Sequence, residues 1–305
     1  MTLQATREQE ALDAYSQVVV DAVEFVGPAV ASVRIRQART WRQPGGDGAG
    51  SAFAFTPDGS LITNAHVVAR AREVSVTFPD GEARPARVVG ADPVTDLAVV
   101  KVDATGLPYL PIEDEPRPPR VGQLVVAIGN PFGFDATVSA GVLSAVDRTL
   151  PAGSRKLDHL LQHTAPINPG NSGGPLTDSR GRILGVNVAI LAVAQGIGFA
   201  VPAQTLAWVV PRLLHDGGVR RGYLGLSAHT HRGGARVVGV EPRSPAAAAG
   251  IQPGDVLIGL GPHPIRGVED LQRRVAEVTP GRPVEARLRR RGADLKVTVR
   301  PGVLR

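Results

Sequence analysis

The 305-residue chain has no cysteine and a single methionine. The absence of cysteine excludes a disulfide scaffold, a thiolate nucleophile and any cysteine-based zinc or iron–sulfur centre. Aromatic residues are scarce as well, at 4% of the chain. A nucleic-acid platform built on stacked bases is therefore not expected. No run approaches the roughly 18 to 20 consecutive apolar residues of a membrane-spanning helix. The opening MTLQATREQEALDAYSQ lacks the basic-then-apolar order of a secretory signal. As written the chain is expected to be cytoplasmic, with a periplasmic or other extracytoplasmic address if the start is processed.

What is abundant is turn chemistry, with 36 Gly and 26 Pro beside 43% hydrophobic and 20% charged residues. That composition belongs to a globular, β-rich protein. The net charge of +6 is unevenly placed: residues 222–305 carry 14 of the 34 Lys and Arg but only 7 of the 28 Asp and Glu. Without interleaved aromatics, this excess reads as a solvated basic face.

The length predicts about two domains, here divided as 1–217 and 218–305. Residues 7–26 read as an amphipathic helix, with Leu12, Tyr15, Val19, Ala22 and Val26 at helical spacing and Gly27-Pro28 as the stop. A strand follows over Ala31 to Arg36. Residues 37–50 read as a Gly-rich loop without the Gly-Lys-Ser/Thr ending of a phosphate loop. From Ser51 to about Val201, short apolar runs alternate with turns, which favours an antiparallel barrel or sandwich over βαβ units. A helix is expected over 203–216, kinked or stopped early by Pro211. In the second unit Ser244 should cap a short helix beginning at Pro245, and 268–278 should form another.

Three segments carry chemistry: Thr63-Asn64-Ala65-His66-Val67-Val68, the run from Asp92 to Val100 around Asp96, and Asn168-Pro169-Gly170-Asn171-Ser172-Gly173-Gly174-Pro175-Leu176. A serine between glycines can present its hydroxyl without neighbouring bulk. The same turn can aim the amides of Gly170 and Ser172 into one concavity, an oxyanion hole. The hydroxyl needs a base, and a histidine serves once a carboxylate fixes its tautomer. His66, Asp96 and Ser172 supply those parts. Taken singly each has an ordinary reading, as a core or surface histidine, a strand-initiating aspartate and a plain turn serine. His215, His229, His231 and His263 show no metal spacing, so neither metal nor cofactor is expected. Gly170-Asn171-Ser172-Gly173-Gly174 also fits the G-x-S-x-G pattern of an α/β-hydrolase, which requires a helix after the serine and a histidine downstream.

TNAHVV, DPVTDLAVVKV and INPGNSGGPL resemble the three catalytic blocks of the HtrA (Deg-type) serine proteases. VVAIGNPFGFDATVSAGVLSAV and GIGFAVP are similar to further blocks of that family, and SPAAAAGIQPGDVLIGL followed by GVEDLQRRV resembles its PDZ domain. The resemblance spans roughly residues 12–302. It implies a mainly β fold, a chymotrypsin-like double β-barrel followed by a small α+β PDZ domain. It also implies an endopeptidase acting on unfolded or damaged proteins, with Ser172 as nucleophile, His66 as general base then acid, Asp96 orienting His66, and Gly170, Asn171 and Ser172 forming the oxyanion turn. By the same resemblance Ile167, Ala189 and Ile190 line an aliphatic P1 pocket. Gly222, Tyr223, Leu224, Gly225 and Leu226 form a carboxylate-binding loop for C-terminal peptides, with the helix from Val268 as the other wall of the groove. A homotrimer is implied too, with Tyr15 and Phe25 as candidate contacts. One departure is noted: the family has Thr-Asp-Ala-Ala where this chain has His163-Thr164-Ala165-Pro166. The alternative function is a catalytically silent peptide-binding or holdase protein acting through the PDZ groove.

Overall fold

The computed structural model describes residues 3–37, 47–130, 136–152, 155–168, 170–188 and 196–303. Mainly β architecture is observed, and the chain divides into two compact units, Met1–Val219 and Arg220–Arg305.

The first unit holds two closed six-stranded antiparallel barrels among the described residues. One closes in the order β1 (Val30–Gln37), β2 (Asp47–Ala54), β3 (Ser60–Thr63), β6 (Leu97–Val102), β5 (Ala83–Asp92) and β4 (Ala71–Thr77). A short helix α2 (Ala65–Val68) follows β3. The other closes as β10 (Pro175–Thr177), β11 (Ile183–Val188), β12 (Gly198–Pro202), β9 (Arg155–His163), β8 (Thr137–Ala152) and β7 (Leu124–Gly129). Because side chains alternate across a strand, one face of each barrel converges on its own core. Ala31, Val33, Ala52, Leu61, Val76 and Val100 fill the first. Val125, Ala127, Leu143, Leu161, Leu176 and Ala200 fill the second.

The opposite faces form a third apolar layer. Phe53, Ile62, Val99, Val126, Ile128 and Val186 meet there with residues of two helices, α1 (Leu3–Val26) and α3 (Ala203–Asp216). Burying a Leu or Val of this kind contributes roughly 1.5–3 kcal/mol. Helix α1 places Ala22 and Val26 in the layer while Tyr15 and Phe25 stay 56% and 60% exposed. The Phe25 ring nevertheless lies on the turn between β10 and β11, where a Cβ on Gly181 would stand 2.5 Å from it.

Two local expectations differ from the structure. Helix α3 has the expected extent, Ala203–Asp216, and is closed by left-handed Gly217; the early stop allowed for at Pro211 does not occur. Pro211 lies on the exposed side, and buried Leu206, Val209, Val210 and Leu213 hold the apolar face through the lost hydrogen bond. The Gly-rich stretch after Gln37 is not loop throughout, since β2 already begins at Asp47 and pairs with β1. Close approach explains its glycines: a Cβ on Gly48 would stand 2.8 Å from Ile35, and one on Gly50 2.8 Å from Val67.

The second unit is a small α+β fold. One antiparallel sheet contains β14 (Leu226–His231), β15 (Gly234–Val240), β16 (Val256–Leu260), β18 (Val284–Arg290) and β19 (Ala293–Val299), with β17 (His263–Pro264) paired to β16. The two-residue strands β13 (Gly222–Tyr223) and β20 (Gly302–Val303) pair separately. Helix α4 (Pro245–Ala248) is capped by Ser244, whose hydroxyl accepts the Ala247 N–H at 3.1 Å. Helix α5 (Val268–Glu277) buries Leu271 against Leu224, Val237, Leu257 and Leu288. Asp255, 1% exposed, is gripped by Arg290 Nε at 2.7 Å and Nη2 at 2.8 Å. Burial raises the Asp255 carboxyl, but Arg290 and the Gln252 amide outweigh it and hold the group below its ordinary value. No described helix is long and apolar enough to cross a membrane.

Candidate active site

Strand β3 ends at Thr63 and the chain turns through fully buried Asn64 into α2. The turn is clasped by a single carbonyl: Asp96 O accepts the Ala65 N–H at 3.1 Å and Asn64 Nδ2 at 3.0 Å. Asp96 is itself delivered by a side-chain-built turn in which Asp92 accepts the Thr95 amide at 3.2 Å and the Thr95 hydroxyl at 2.5 Å. This places Asp96 in the left-handed region, at φ 58°, immediately before β6. Aspartate tolerates that conformation better than most residues.

The carboxylate then meets His66 twice. Oδ1 accepts the His66 backbone N–H at 2.9 Å, and Oδ2 lies 2.7 Å from Nδ1. Asp96 is 7% exposed, whereas the His66 side chain keeps about half its surface. A carboxylate on Nδ1 fixes the tautomer whose Nε2 carries the free lone pair.

Ser172, 4% exposed, lies in the turn before β10. The turn is built from its own backbone: Asn171 N–H donates to Asn168 O and Gly174 N–H to Asn171 O, both at 3.1 Å. β11 braces it, Gly173 N–H reaching Asn187 O at 3.0 Å. Gly170 and Gly173 adopt φ 105° and 86°, which side-chain-bearing residues rarely do. The turn lies directly against the His66 segment. A Cβ on Gly173 would stand 2.5 Å from Thr63 Oγ1 and 3.2 Å from Asn64 N, and one on Gly50 would touch both Val67 and the Ser172 carbonyl. Thus three segments far apart in sequence meet at one place. The strand after Ser172 and the position of His66 before it remove the α/β-hydrolase reading.

Of the remaining expected site residues, Asn171 is fully buried, and neither polar atom of its side chain finds a hydrogen-bond partner among the described residues. Ile167 is half-buried and packs against the core of the second barrel. Ala189 and Ile190 lie outside the described residues. In the second unit Gly222 and Tyr223 form β13, Leu224 is buried in the core, Gly225 is left-handed at φ 71°, and Leu226 opens β14. The Tyr223 hydroxyl donates to Glu241 Oε2, which raises the phenol pKa.

At the departure from the family block, Thr164 still supplies an acceptor, its Oγ1 taking the Val142 N–H at 2.9 Å. His163 faces the interior of the second barrel, opposite Leu143 and Gly198, and is fully buried. Burial pushes its pKa down from the ordinary 6.5 to about 4. Backbone groups of Ala165 and Phe199 oppose part of that shift, although neither makes a well-aligned hydrogen bond to the ring.

Sequence reasoning singled out the segment of Thr63 and Asn64 without giving either a role of its own, and it missed Ser51. Ser51 sits in β2 with no exposed surface, donates its N–H to Ser172 O at 2.7 Å and accepts the Thr63 hydroxyl on its carbonyl at 2.8 Å. Its signal in the sequence is a hydroxyl inside the otherwise apolar run GSAFAF.

Comparison with known proteins agrees with this architecture. Residues 50–186 match the trypsin-like peptidase domain and residues 222–300 the PDZ domain. The putative serine protease HhoB of Synechocystis sp. is 36% identical over 93% of this chain and 79% of its own length. A probable periplasmic serine endoprotease, DegP-like, of Rhizobium meliloti is 40% identical over 87% of this chain. The chain spans 56% of that relative's length. The solved structure of the HtrA-type protease AlgW with a tripeptide is similar at a TM-score of 0.83 and 33% identity, covering 94% of this chain and 97% of AlgW. A serine endoprotease from Yersinia pestis is similar at 0.75 and 36%, covering 94% of this chain and 98% of its own.

Proposed function

Because the chain belongs to the HtrA family of trypsin-like serine proteases, we propose that it hydrolyses peptide bonds of unfolded or damaged polypeptides through an acyl-enzyme formed on Ser172. The observation that carries the mechanism is the two-point hold of Asp96 on His66, beside the turn that bears Ser172. His66 Nε2 takes the Ser172 proton as Oγ adds to the scissile carbonyl. The negative oxygen of the tetrahedral intermediate is met by the amides of Gly170 and Ser172, in the turn centred on Asn171. The imidazolium, stabilised by Asp96, protonates the leaving amine. His66 then deprotonates the water that opens the ester, returning Ser172 to its starting state.

An aliphatic pocket around Ile167, Ala189 and Ile190 would select small aliphatic P1 residues, because a basic side chain there would find no buried partner. The PDZ unit would bind C-terminal peptides by strand addition beside residues 222–226, with α5 as the opposite wall. Relatives named as periplasmic endoproteases support an extracytoplasmic site of action. We place the chain in a homotrimer, with exposed Tyr15 as a candidate contact; a monomeric mass by light scattering would remove that part. Degradation of unfolded casein tests the function: wild type should cleave it and Ser172→Ala should not. Equal inertness of the two folded proteins would reject the reading.

A further inference from the structure

Every polar group of Ser51 is committed to the catalytic neighbourhood. Its Oγ donates to Gly170 O at 2.5 Å and accepts the Asn130 N–H at 2.8 Å. Its N–H donates to Ser172 O at 2.7 Å, and its carbonyl accepts the Thr63 hydroxyl at 2.8 Å. The residue is fully buried, so water does not compete for these bonds. A Cβ on Gly173 would collide with the Ser51 carbonyl oxygen, so strand and turn are in direct contact.

Gly170 and Ser172 are the residues whose amides face the developing oxyanion in the proposed mechanism. Ser51 holds the carbonyl of each, the first through its hydroxyl and the second through its amide. Fixing a carbonyl fixes the peptide plane that follows it. The planes 170–171 and 172–173 are thereby anchored to β2, and the plane carrying the Ser172 amide hangs between them. A left-handed glycine such as Gly170, at φ 105°, has little steric preference of its own to keep it there. The Asn130 amide, at the end of β7, completes the hydroxyl's geometry by occupying its acceptor side and aiming its proton at Gly170 O.

We propose that Ser51 is a positioning residue for the oxyanion hole: its hydroxyl, bridging Gly170 O and Asn130 N–H, keeps the turn preorganised for the transition state. This rests on the serine-protease reading above. Directly deleting an oxyanion donor in such enzymes costs about 10²–10³ in turnover; loosening the support of one costs less. Ser51→Ala is expected to lower kcat on a peptide substrate by roughly 10- to 100-fold with KM nearly unchanged. Affinity for a peptide boronate, whose adduct places an oxyanion in the hole, should fall by a similar factor.

Ser32→Ala is the matched control. Ser32 is the cross-strand neighbour of Ser51, is equally buried, and its hydroxyl has no hydrogen-bond partner among the described residues. It should retain full kcat and boronate affinity. Ser51→Cys keeps a weak donor, should fall between wild type and alanine, and carries the test if Ser51→Ala does not fold. Unchanged kcat in Ser51→Ala or Ser51→Cys, a loss confined to KM, or an equal loss in Ser32→Ala would overturn the proposal. An inert wild type would instead reject the protease reading itself, so the two failures are distinguishable.

Discussion

Asp96 grips His66 at two points, the ring through Oδ2 at 2.7 Å and the backbone amide through Oδ1 at 2.9 Å. The second contact ties the carboxylate to the start of α2, which holds Oδ2 in place to receive the ring. Asp96→Asn should therefore keep the fold yet present an amide that favours the wrong imidazole tautomer. Turnover on a peptide substrate is expected to fall by about 10³–10⁴, while the melting temperature moves by a few degrees at most. A variant retaining a tenth of wild-type kcat would contradict the assigned role.

The turn conformation should matter as much as the side chains. Gly173→Ala introduces a Cβ at φ 86° that meets Ser51 O, Thr63 Oγ1 and Asn64 N. Backbone offers no room to yield, so the variant should lose at least 100-fold in activity, on the scale of an oxyanion-hole defect. Gly122→Ala, also left-handed at φ 88° but with nothing within 4 Å of its Cβ, should leave activity near wild type. Peptidase assays on the pair decide the point.

His163 predicts an acid weakness. Its folded-state pKa is about 4 against an ordinary 6.5, so the unfolded chain binds the proton more readily. Stability is complete above pH 6.5, declines as pH falls towards 4, and loses nothing further from this group below that. A shift of this size corresponds to roughly 3 kcal/mol. Urea titrations from pH 7 to 4 should show the decline, and His163→Leu should flatten it. Parallel slopes for both proteins would exclude His163 as the cause.

In the second unit, Arg290→Leu leaves the Asp255 carboxylate buried without its bidentate partner. Breaking one side of a buried pair costs about 3–5 kcal/mol. The expected result is a lower-temperature unfolding transition in the full chain, and also a shift of the Asp255 carboxyl upward from its depressed value. An unmoved transition would show that the pair contributes little.

The candidate catalytic residues could be picked out because their types are chemically rare in combination and sit in short blocks, with His66 in TNAHVV and Ser172 in GNSGG. The alternation of apolar runs and turns was enough for barrels, and Ser244-Pro245 for a capped helix. What the sequence hid depends on contacts across the fold. Ser51 lies 119 residues from Gly170, and a serine in a strand carries no mark of the carbonyl it will meet. Gly48 and Gly50 read as loop because glycine signals turns more often than close packing against Ile35 and Val67. Pro211 read as a kink or an early stop because propensity ignores the buried face that carries α3 through it.

The most direct measurement is reaction of the purified full chain with a labelled fluorophosphonate, followed by mass spectrometry of the modified peptide. One adduct is expected, on Ser172, absent in Ser172→Ala and formed far more slowly in His66→Ala. A correctly folded wild-type protein that forms no adduct, or forms one with undiminished rate in His66→Ala, would contradict it.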